Sequence, residues 1–166
     1  MPSPSLLLLI LLGAGLVACA THGPRALPSS GDASVRAEIE ELHRFFEGWF
    51  TARLANTPSE FARFESVVAP GFVHIPPSGA RTEREALLNG LRNAHGVHAD
   101  DGFRIWIEDV RARTLADGTV LATYEEWQET RGDEPRGRIS SVVFRAREDL
   151  PNGLEWVHVQ ETWLAE

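Results

Sequence analysis

The part of the chain that follows residue 33 begins with hydrophobic residues at helical spacing. Over residues 34–56 the apolar positions recur every three or four residues, which predicts a long amphipathic helix with an aromatic stripe. Thr57 to Glu60 is a capping box with proline at the first helical position, and it predicts a shorter helix that stops at Pro70-Gly71. A second capping box predicts a third helix over residues 82–93.

Beyond Gly102 the hydrophobic period changes to two, which is typical of β-strands. Four long strands are predicted there, with one short strand before the third helix. They are Phe103–Arg113, Thr119–Thr130, Arg138–Arg147 and Leu154–Leu164, and the short strand is Phe72–Ile75. Because the helices come first and the strands last, we expect an α+β domain with helices on one face of an antiparallel sheet.

The N-terminal segment has the pattern of an export signal. Residues 6–18 carry no charge and are too few to cross a bilayer as a helix. Leu16-Val17-Ala18-Cys19 resembles the lipobox of bacterial lipoproteins, which implies cleavage before Cys19 and lipidation of that residue. Residues 1–5 lack the Lys or Arg with which signal peptides normally begin.

This interpretation divides the chain into three parts. Residues 1–18 are expected to be the signal peptide, and residues 19–32 the lipidated cysteine and a flexible tether rich in Pro, Ser and Gly. Residues 33–166 are expected to form one exported domain. The lipid would hold this domain in the bacterial cell envelope, at the outer membrane or periplasmic face.

Composition and motifs exclude several partners. The formal net charge of −8 argues against binding to nucleic acid or to an anionic membrane surface. The sequence has no phosphate-binding glycine loop and no G-x-S-x-G nucleophile motif, and we expect no cofactor. Residues 95–101 contain two His and two Asp but span a helix end and a loop, so we favour a solvated loop and predict no metal site.

The order of elements resembles the nuclear transport factor 2-like superfamily, also called the SnoaL-like or ketosteroid-isomerase-like fold. The resemblance covers about residues 34–166 and is most specific at Gly48-Trp49-Phe50, Phe72–Gly79 and Trp156–Trp163. We expect the sequence to be most similar to the uncharacterised bacterial families of this superfamily. The resemblance implies a curved sheet wrapped around the helices into a cone, an apolar pocket at the wide end, and often a homodimer through the outer face of the sheet.

Alternation along the strands selects candidate pocket residues. Side chains alternate across a strand, and the resemblance favours the face of Trp156 and His158 on the closing strand as the pocket face. The same reasoning favours the face of Tyr124 and Glu126 on the second long strand. The candidate ligand-binding residues are Trp49, Phe72, His74, Trp106, Tyr124, Glu126, Trp156, His158 and Gln160.

Four of these residues are candidates for acid–base catalysis: His74, Tyr124, Glu126 and His158. The alternative for His74 is a hydrogen-bonded side chain at a strand end, without a catalytic role. The acid–base residues of characterised isomerases, cyclases and dehydratases have no residue-by-residue match in this sequence.

Three functions therefore stay open. We favour a binding module that holds a small apolar molecule or pairs with an envelope partner, because no catalytic set matches. The second is an isomerase, dehydratase or cyclase-type enzyme that uses His with a carboxylate or Tyr. The third is a purely structural dimer.

Overall fold

The structure is a computed structural model that describes residues 30–165 of the chain. The predicted signal peptide, the predicted lipidation site Cys19 and most of the predicted tether lie outside the described residues. The helices are α1 (Ser30–Phe50), α2 (Pro58–Glu65) and α3 (Arg84–Asn93). The strands are β1 (Val68–Ile75), β2 (Thr82–Glu83), β3 (Arg104–Thr114), β4 (Val120–Glu129), β5 (Arg136–Ala146) and β6 (Leu154–Trp163). None of the helices between residues 30 and 165 has the length and apolar character of a membrane span.

The six strands form one curved, unclosed sheet in the order β2-β1-β6-β5-β4-β3, with the three helices packed on it. This arrangement confirms the predicted α+β fold. All neighbouring strands pair antiparallel except β1 and β6, which run in parallel. Parallel neighbours need a long connection, and residues 76–153 supply it before β6 enters the sheet beside β1.

Helix α1 begins at Ser30 and ends at Phe50, whereas the periodicity predicts residues 34–56. Ala52 ends it with a left-handed backbone, φ 56°. The chain then folds back, and the backbone N–H of Leu54 donates to the carbonyl oxygen of Gly48 at 3.0 Å. Leu54 packs so closely on Gly48 that a Cβ at Gly48 would lie 2.9 Å from the Leu54 Cγ. The helical spacing of Leu54 therefore reflects this return of the chain rather than a continuing helix.

Only the first of the two predicted capping boxes supplies a side-chain cap to its helix. At the start of α2, the backbone N–H of Glu60 donates to Thr57 Oγ1 at 3.3 Å, as predicted. Thr82 instead lies in β2 and pairs with His74 of β1, and α3 begins one residue after Glu83 without a side-chain cap. Strand pairing has overridden the local signal at this position.

The hydrophobic core lies between α1, α2 and the inner face of the sheet. Its α1 side is the apolar stripe seen in the sequence, and its sheet side includes fully buried residues of β5. Its members include Val35, Ile39, Leu42, Phe45, Trp49, Phe61, Phe64, Val142, Phe144 and Trp156.

One carboxylate, Glu38 of α1, is fully buried beside this core. It accepts hydrogen bonds from Arg63 Nη2 at 2.8 Å and from Asn152 Nδ2 at 3.0 Å on Oε2. Its Oε1 accepts from the indole Nε1 of Trp156 at 2.9 Å. Glu38 therefore ties α1 to α2, to the turn before β6 and to β6 itself, and it fixes the orientation of Trp156.

Strand β6 contains a β-bulge that changes which residues face inward. Phe144 of β5 pairs with Trp156, whereas the preceding residue, Val143, pairs with His158, so Val157 is an extra residue. A shift of one residue exchanges the faces of all later positions. The predicted pocket face of this strand therefore holds at Trp156, but beyond the bulge the inward positions are Val159 and Glu161, which are buried, while Gln160 is exposed.

Candidate functional site

An apolar cavity lies between the helices and the inner face of the sheet. Its volume is about 140 Å³, which is below the usual range of drug-sized sites and suits only a small molecule. Its walls are mainly aromatic and aliphatic side chains. They include Leu42, Phe46, Phe50, Phe64, Phe72, Leu87, Leu91, Tyr124, Trp156 and Val159.

Five ionisable side chains also line this cavity, and we call them the charged row: His43, Glu126, Arg138, Glu161 and His74. Each comes from a different element, in the order α1, β4, β5, β6 and β1. Consecutive members contact one another with alternating acidic and basic character. The row thus connects the helical layer to four strands of the sheet.

The inner half of the row consists of His43 and Glu126, and both carboxylate oxygens of Glu126 have hydrogen-bond partners. Its Oε2 lies 3.1 Å from His43 Nε2, and its Oε1 accepts from Arg138 Nη2 and, at 2.6 Å, from Gln128 Nε2. His43 Nδ1 lies 2.6 Å from the carbonyl oxygen of Ile39. Both ring nitrogens therefore face oxygen atoms within the protein.

These contacts set the ionisation of Glu126. Burial alone would raise its pKa, but the hydrogen bond from His43 and the charges of His43 and Arg138, together with the hydrogen bond from Gln128, lower the pKa to about 2. Glu126 is therefore ionised at neutral pH and is a weak base. Burial first, and then the charge of Glu126, raise the pKa of Tyr124 well above its usual value of 10, so this phenol is neutral.

The outer half of the row consists of Arg138, Glu161 and His74, and two of its polar atoms make no hydrogen bond within residues 30–165. Glu161 is 7% exposed, and its Oε2 accepts no hydrogen bond from any residue between 30 and 165. Arg138 Nε is likewise buried and donates no hydrogen bond within that part of the chain. Two contacts hold Glu161 at ion-pair distance without the geometry of a hydrogen bond. Its Oε1 lies 3.3 Å from Arg138 Nε, and its Oε2 lies 3.3 Å from His74 Nε2. Glu161 and Arg138 therefore keep unused hydrogen-bonding capacity in the cavity wall.

Five of the predicted ligand-binding residues line the cavity: Phe72, His74, Tyr124, Glu126 and Trp156. Trp49 lies behind the wall, where its Nε1 donates to the carbonyl oxygen of Leu91 at 2.7 Å. Trp106 stacks on Trp127 on the outer face of the sheet, with ring centroids 6.3 Å apart. His158 and Gln160 do not line the cavity, because the bulge turns their face of β6 away from it.

Sequence reasoning missed His43, Arg138 and Glu161. His43 lies four residues after Ile39 and three before Phe46, so a polar residue within the apolar stripe of the first helix was a usable signal. Arg138 shares an alternating face with Ser140, which is fully buried. Glu161 gave no such signal, because the bulge breaks the alternation before it.

His95 and His98, in the loop after α3, do not line the cavity and contact residues elsewhere. His98 Nδ1 lies 2.5 Å from Asp101 Oδ2, and the His98 ring stacks on Phe103. His95 Nε2 lies 2.8 Å from the carbonyl oxygen of Leu54. Within residues 30–165 no group of three or more His, Cys, Asp or Glu side chains is arranged to hold a metal ion.

Residues 35–165 match the family model described as sucrose-6-phosphate phosphohydrolase C-terminal. Probable sucrose-phosphatase 2 of Arabidopsis thaliana is 32% identical over 129 residues, which are 78% of this chain and 30% of that protein. Sucrose-phosphatase 1 of Nicotiana tabacum is 29% identical over 128 residues, or 76% of this chain and 30% of that protein. The chain thus spans less than a third of the length of these curated relatives.

Solved structures share the fold. A nuclear transport factor 2-like protein of unknown function from Pseudomonas aeruginosa matches with a TM-score of 0.69 and 23% identity, over 80% of this chain and 99% of that chain. ActVI-ORFA from Streptomyces coelicolor matches with a TM-score of 0.57 and 15% identity, over 79% and 95% of the two chains. These matches confirm the nuclear transport factor 2-like fold. With residues 35–165 covered by the family model, the chain belongs to the sucrose-6-phosphate phosphohydrolase C-terminal family.

Proposed function

We propose that this protein is a lipid-anchored binding module of the bacterial cell envelope that holds one small molecule in its cavity. The observation that carries the proposal is a cavity with apolar walls in which two buried polar atoms, Glu161 Oε2 and Arg138 Nε, have no hydrogen-bond partner between residues 30 and 165. Buried polar atoms normally find a partner. A ligand with an apolar body and one polar group would supply it.

The contacts of Glu126 and His43, the inner half of the charged row, favour ligand binding over catalysis. Glu126, with a pKa of about 2 and three hydrogen-bond donors around it, is too weak a base to remove a proton at neutral pH. His43 uses both ring nitrogens in contacts within the protein. Neither side chain is therefore available for proton transfer to a ligand.

We do not extend phosphatase activity from the relatives to this chain. Their names describe proteins of which this chain spans 30% of the length. Arg138, the one arginine among the cavity-lining residues, already contacts two carboxylates, Glu126 and Glu161. A phosphate group in this cavity would therefore meet a guanidinium that already contacts two carboxylates, with the charge of Glu161 beside it.

The anchoring part of the proposal rests on the sequence Leu16-Val17-Ala18-Cys19. Lipid on Cys19 would keep the domain at a membrane surface. The ligand would then be one that is encountered in the cell envelope.

Native mass spectrometry of the purified protein tests the binding function. We expect a bound small molecule that is released on unfolding. Leu87→Trp, which fills the cavity from α3, should abolish it, whereas Ala86→Trp, which adds the same ring at the neighbouring exposed position, should retain it. Protein that carries no small molecule, or equal occupancy in both variants, would contradict the proposal.

A second function is favoured by one contact. His74 Nε2 lies 3.3 Å from Glu161 Oε2 in the cavity wall, and the His74 side chain is 22% exposed. A histidine beside a carboxylate is a common acid–base pair, and here it suits isomerase, dehydratase or cyclase-type chemistry. Conversion of the co-purified ligand that is lost in His74→Asn and retained in His158→Asn would establish an enzyme.

A further inference from the structure

From the surroundings of Glu161 we infer that the cavity selects an uncharged molecule whose polar group is a hydroxyl, and that this hydroxyl donates its hydrogen to Glu161 Oε2. The inference rests on the proposed binding function and names the class of ligand. It depends on the ion-pair contacts of the row, on the two unpartnered atoms and on the apolar character of the walls.

Each carboxylate of the row already has two basic neighbours. Glu126 contacts His43 and Arg138, and Glu161 contacts Arg138 and His74. A ligand with a net charge would bring an uncompensated charge into a site whose other walls are apolar, which carries a large desolvation cost. An uncharged ligand avoids this cost.

The two unpartnered atoms need both kinds of hydrogen-bonding group. Glu161 Oε2 is an acceptor that lacks a donor, and Arg138 Nε is a donor that lacks an acceptor, within the described part of the chain. A hydroxyl group carries one hydrogen to donate and lone pairs to accept. An ether offers only the lone pairs, and a carboxylate or phosphate would place negative charge against Glu161.

The side chains of the cavity walls determine which apolar part of a ligand fits. Four phenylalanine rings, those of Phe46, Phe50, Phe64 and Phe72, line the cavity together with Trp156. Aromatic walls of this kind pack well against flat apolar rings. The favoured class is therefore a ring-containing alcohol or phenol, and phosphate esters are excluded from this cavity.

Five probes with one naphthalene body test the inference by calorimetric titration of the full protein at neutral pH. They are 2-naphthol, 2-methoxynaphthalene, 2-naphthoate, 2-naphthyl phosphate and 2-naphthylmethylammonium. Because a hydrogen bond to a carboxylate is stronger than one between neutral groups, we expect 2-naphthol to bind about tenfold or more tighter than its methyl ether. The three ionic probes should bind more weakly than 2-naphthol.

Two variants separate the role of Glu161 from general effects. Glu161→Gln keeps the shape and removes the charge, so the preference for naphthol over the ether should fall at least threefold. Gln160→Ala, which changes the exposed neighbour on β6, should keep the wild-type preference. If Glu161→Gln does not fold, the preference of the wild-type protein alone decides the inference.

The outcomes distinguish the inference from the proposed function. If the cavity takes none of the five probes but the purified protein carries a small molecule in native mass spectrometry, the inferred ligand class is wrong and the binding function stands. If it also carries no small molecule, the binding function itself fails. If the probes bind but the ether matches naphthol, or an ionic probe binds tightest, the hydroxyl inference is overturned and the binding function stands.

Discussion

His43 Nε2 and Glu126 Oε2 lie 3.1 Å apart in the protein interior, although 83 residues separate them in the chain. The two side chains are 4% and 2% exposed, so the contact is shielded from solvent. It joins α1 to β4, and Arg138 extends it to β5. The pair therefore fixes the inner half of the charged row and links the helical layer to the sheet.

The pair should give the protein a stability that depends on acid pH. The pKa of Glu126 is about 2 in the folded protein against an ordinary 4.5, so its contribution is complete above pH 4.5 and is lost as the pH falls toward 2. At about 1.4 kcal/mol per pKa unit, the contribution is on the order of 3 kcal/mol. Urea unfolding at pH 7, 4.5 and 3 measures it.

In the Glu126→Gln variant the part of this pH dependence that arises from Glu126 should disappear. Glu129→Gln, on the same strand beside Arg104, should retain the wild-type dependence. Equal loss of unfolding free energy between pH 4.5 and 3 in wild type and Glu126→Gln would refute the low pKa.

The buried carboxylate of Glu38 should be essential for stability. Glu38→Ala leaves Arg63, Asn152 and Trp156 without their shared acceptor. Removal of one partner from a buried charged contact costs about 3–5 kcal/mol, and we expect a loss of this size in urea unfolding. Glu40→Ala, which removes a surface pair with Arg36 on the same helix, should cost about 0.5 kcal/mol or less. Similar losses for both variants would contradict a structural role for Glu38.

Two glycines should respond oppositely to alanine. A Cβ at Gly137 of β5 would lie 2.7 Å from Leu164 Cδ1 and 2.9 Å from the Trp127 ring, so Gly137→Ala should destabilise by about 1–3 kcal/mol. A Cβ at Gly90 of α3 meets no atom within 4 Å, so Gly90→Ala should stabilise by about 0.5–1 kcal/mol through helix propensity. Thermal unfolding compares them, and a shift of the same sign in both would speak against the close packing of Trp127 on Gly137.

Lipidation of Cys19 should decide where the protein resides. In fractionated bacterial cells, we expect the wild-type protein with the membranes and Cys19→Ser released from them, with a change in electrophoretic mobility. Acyl chains on this residue would supply the membrane affinity, and serine cannot carry them as a thioether. If Cys19→Ser remains entirely with the membranes at unchanged mobility, the anchor proposal fails.

Local pattern predicted those parts of the fold and site where the chain is regular. Strand β4 alternates without interruption, and Tyr124 and Glu126 lie in the cavity wall as their spacing indicates. Strand β6 does not, because the extra residue Val157 changes the faces of all that follow. No alternation rule reveals such a bulge from one sequence.

The charged members of the row were missed for a different reason. Charged residues are usually exposed, so Arg138 and Glu161 have no individual signal for burial. Glu161 is buried and Arg138 is half-buried, and the two side chains contact each other. The parallel pairing of β1 with β6 brings His74 beside Glu161. These contacts depend on long-range pairing that local periodicity does not contain.

Strand β6 lies between β1 and β5, although it follows both in the chain. During synthesis from the N-terminus, β3, β4 and β5 can pair as successive hairpins, because their contacts are local. Strand β1 has no such neighbour to pair with except the two-residue β2 until residues 154–163 emerge. The halves of the sheet therefore join last, and the cavity is completed only when β6 delivers Trp156 and Glu161 to it.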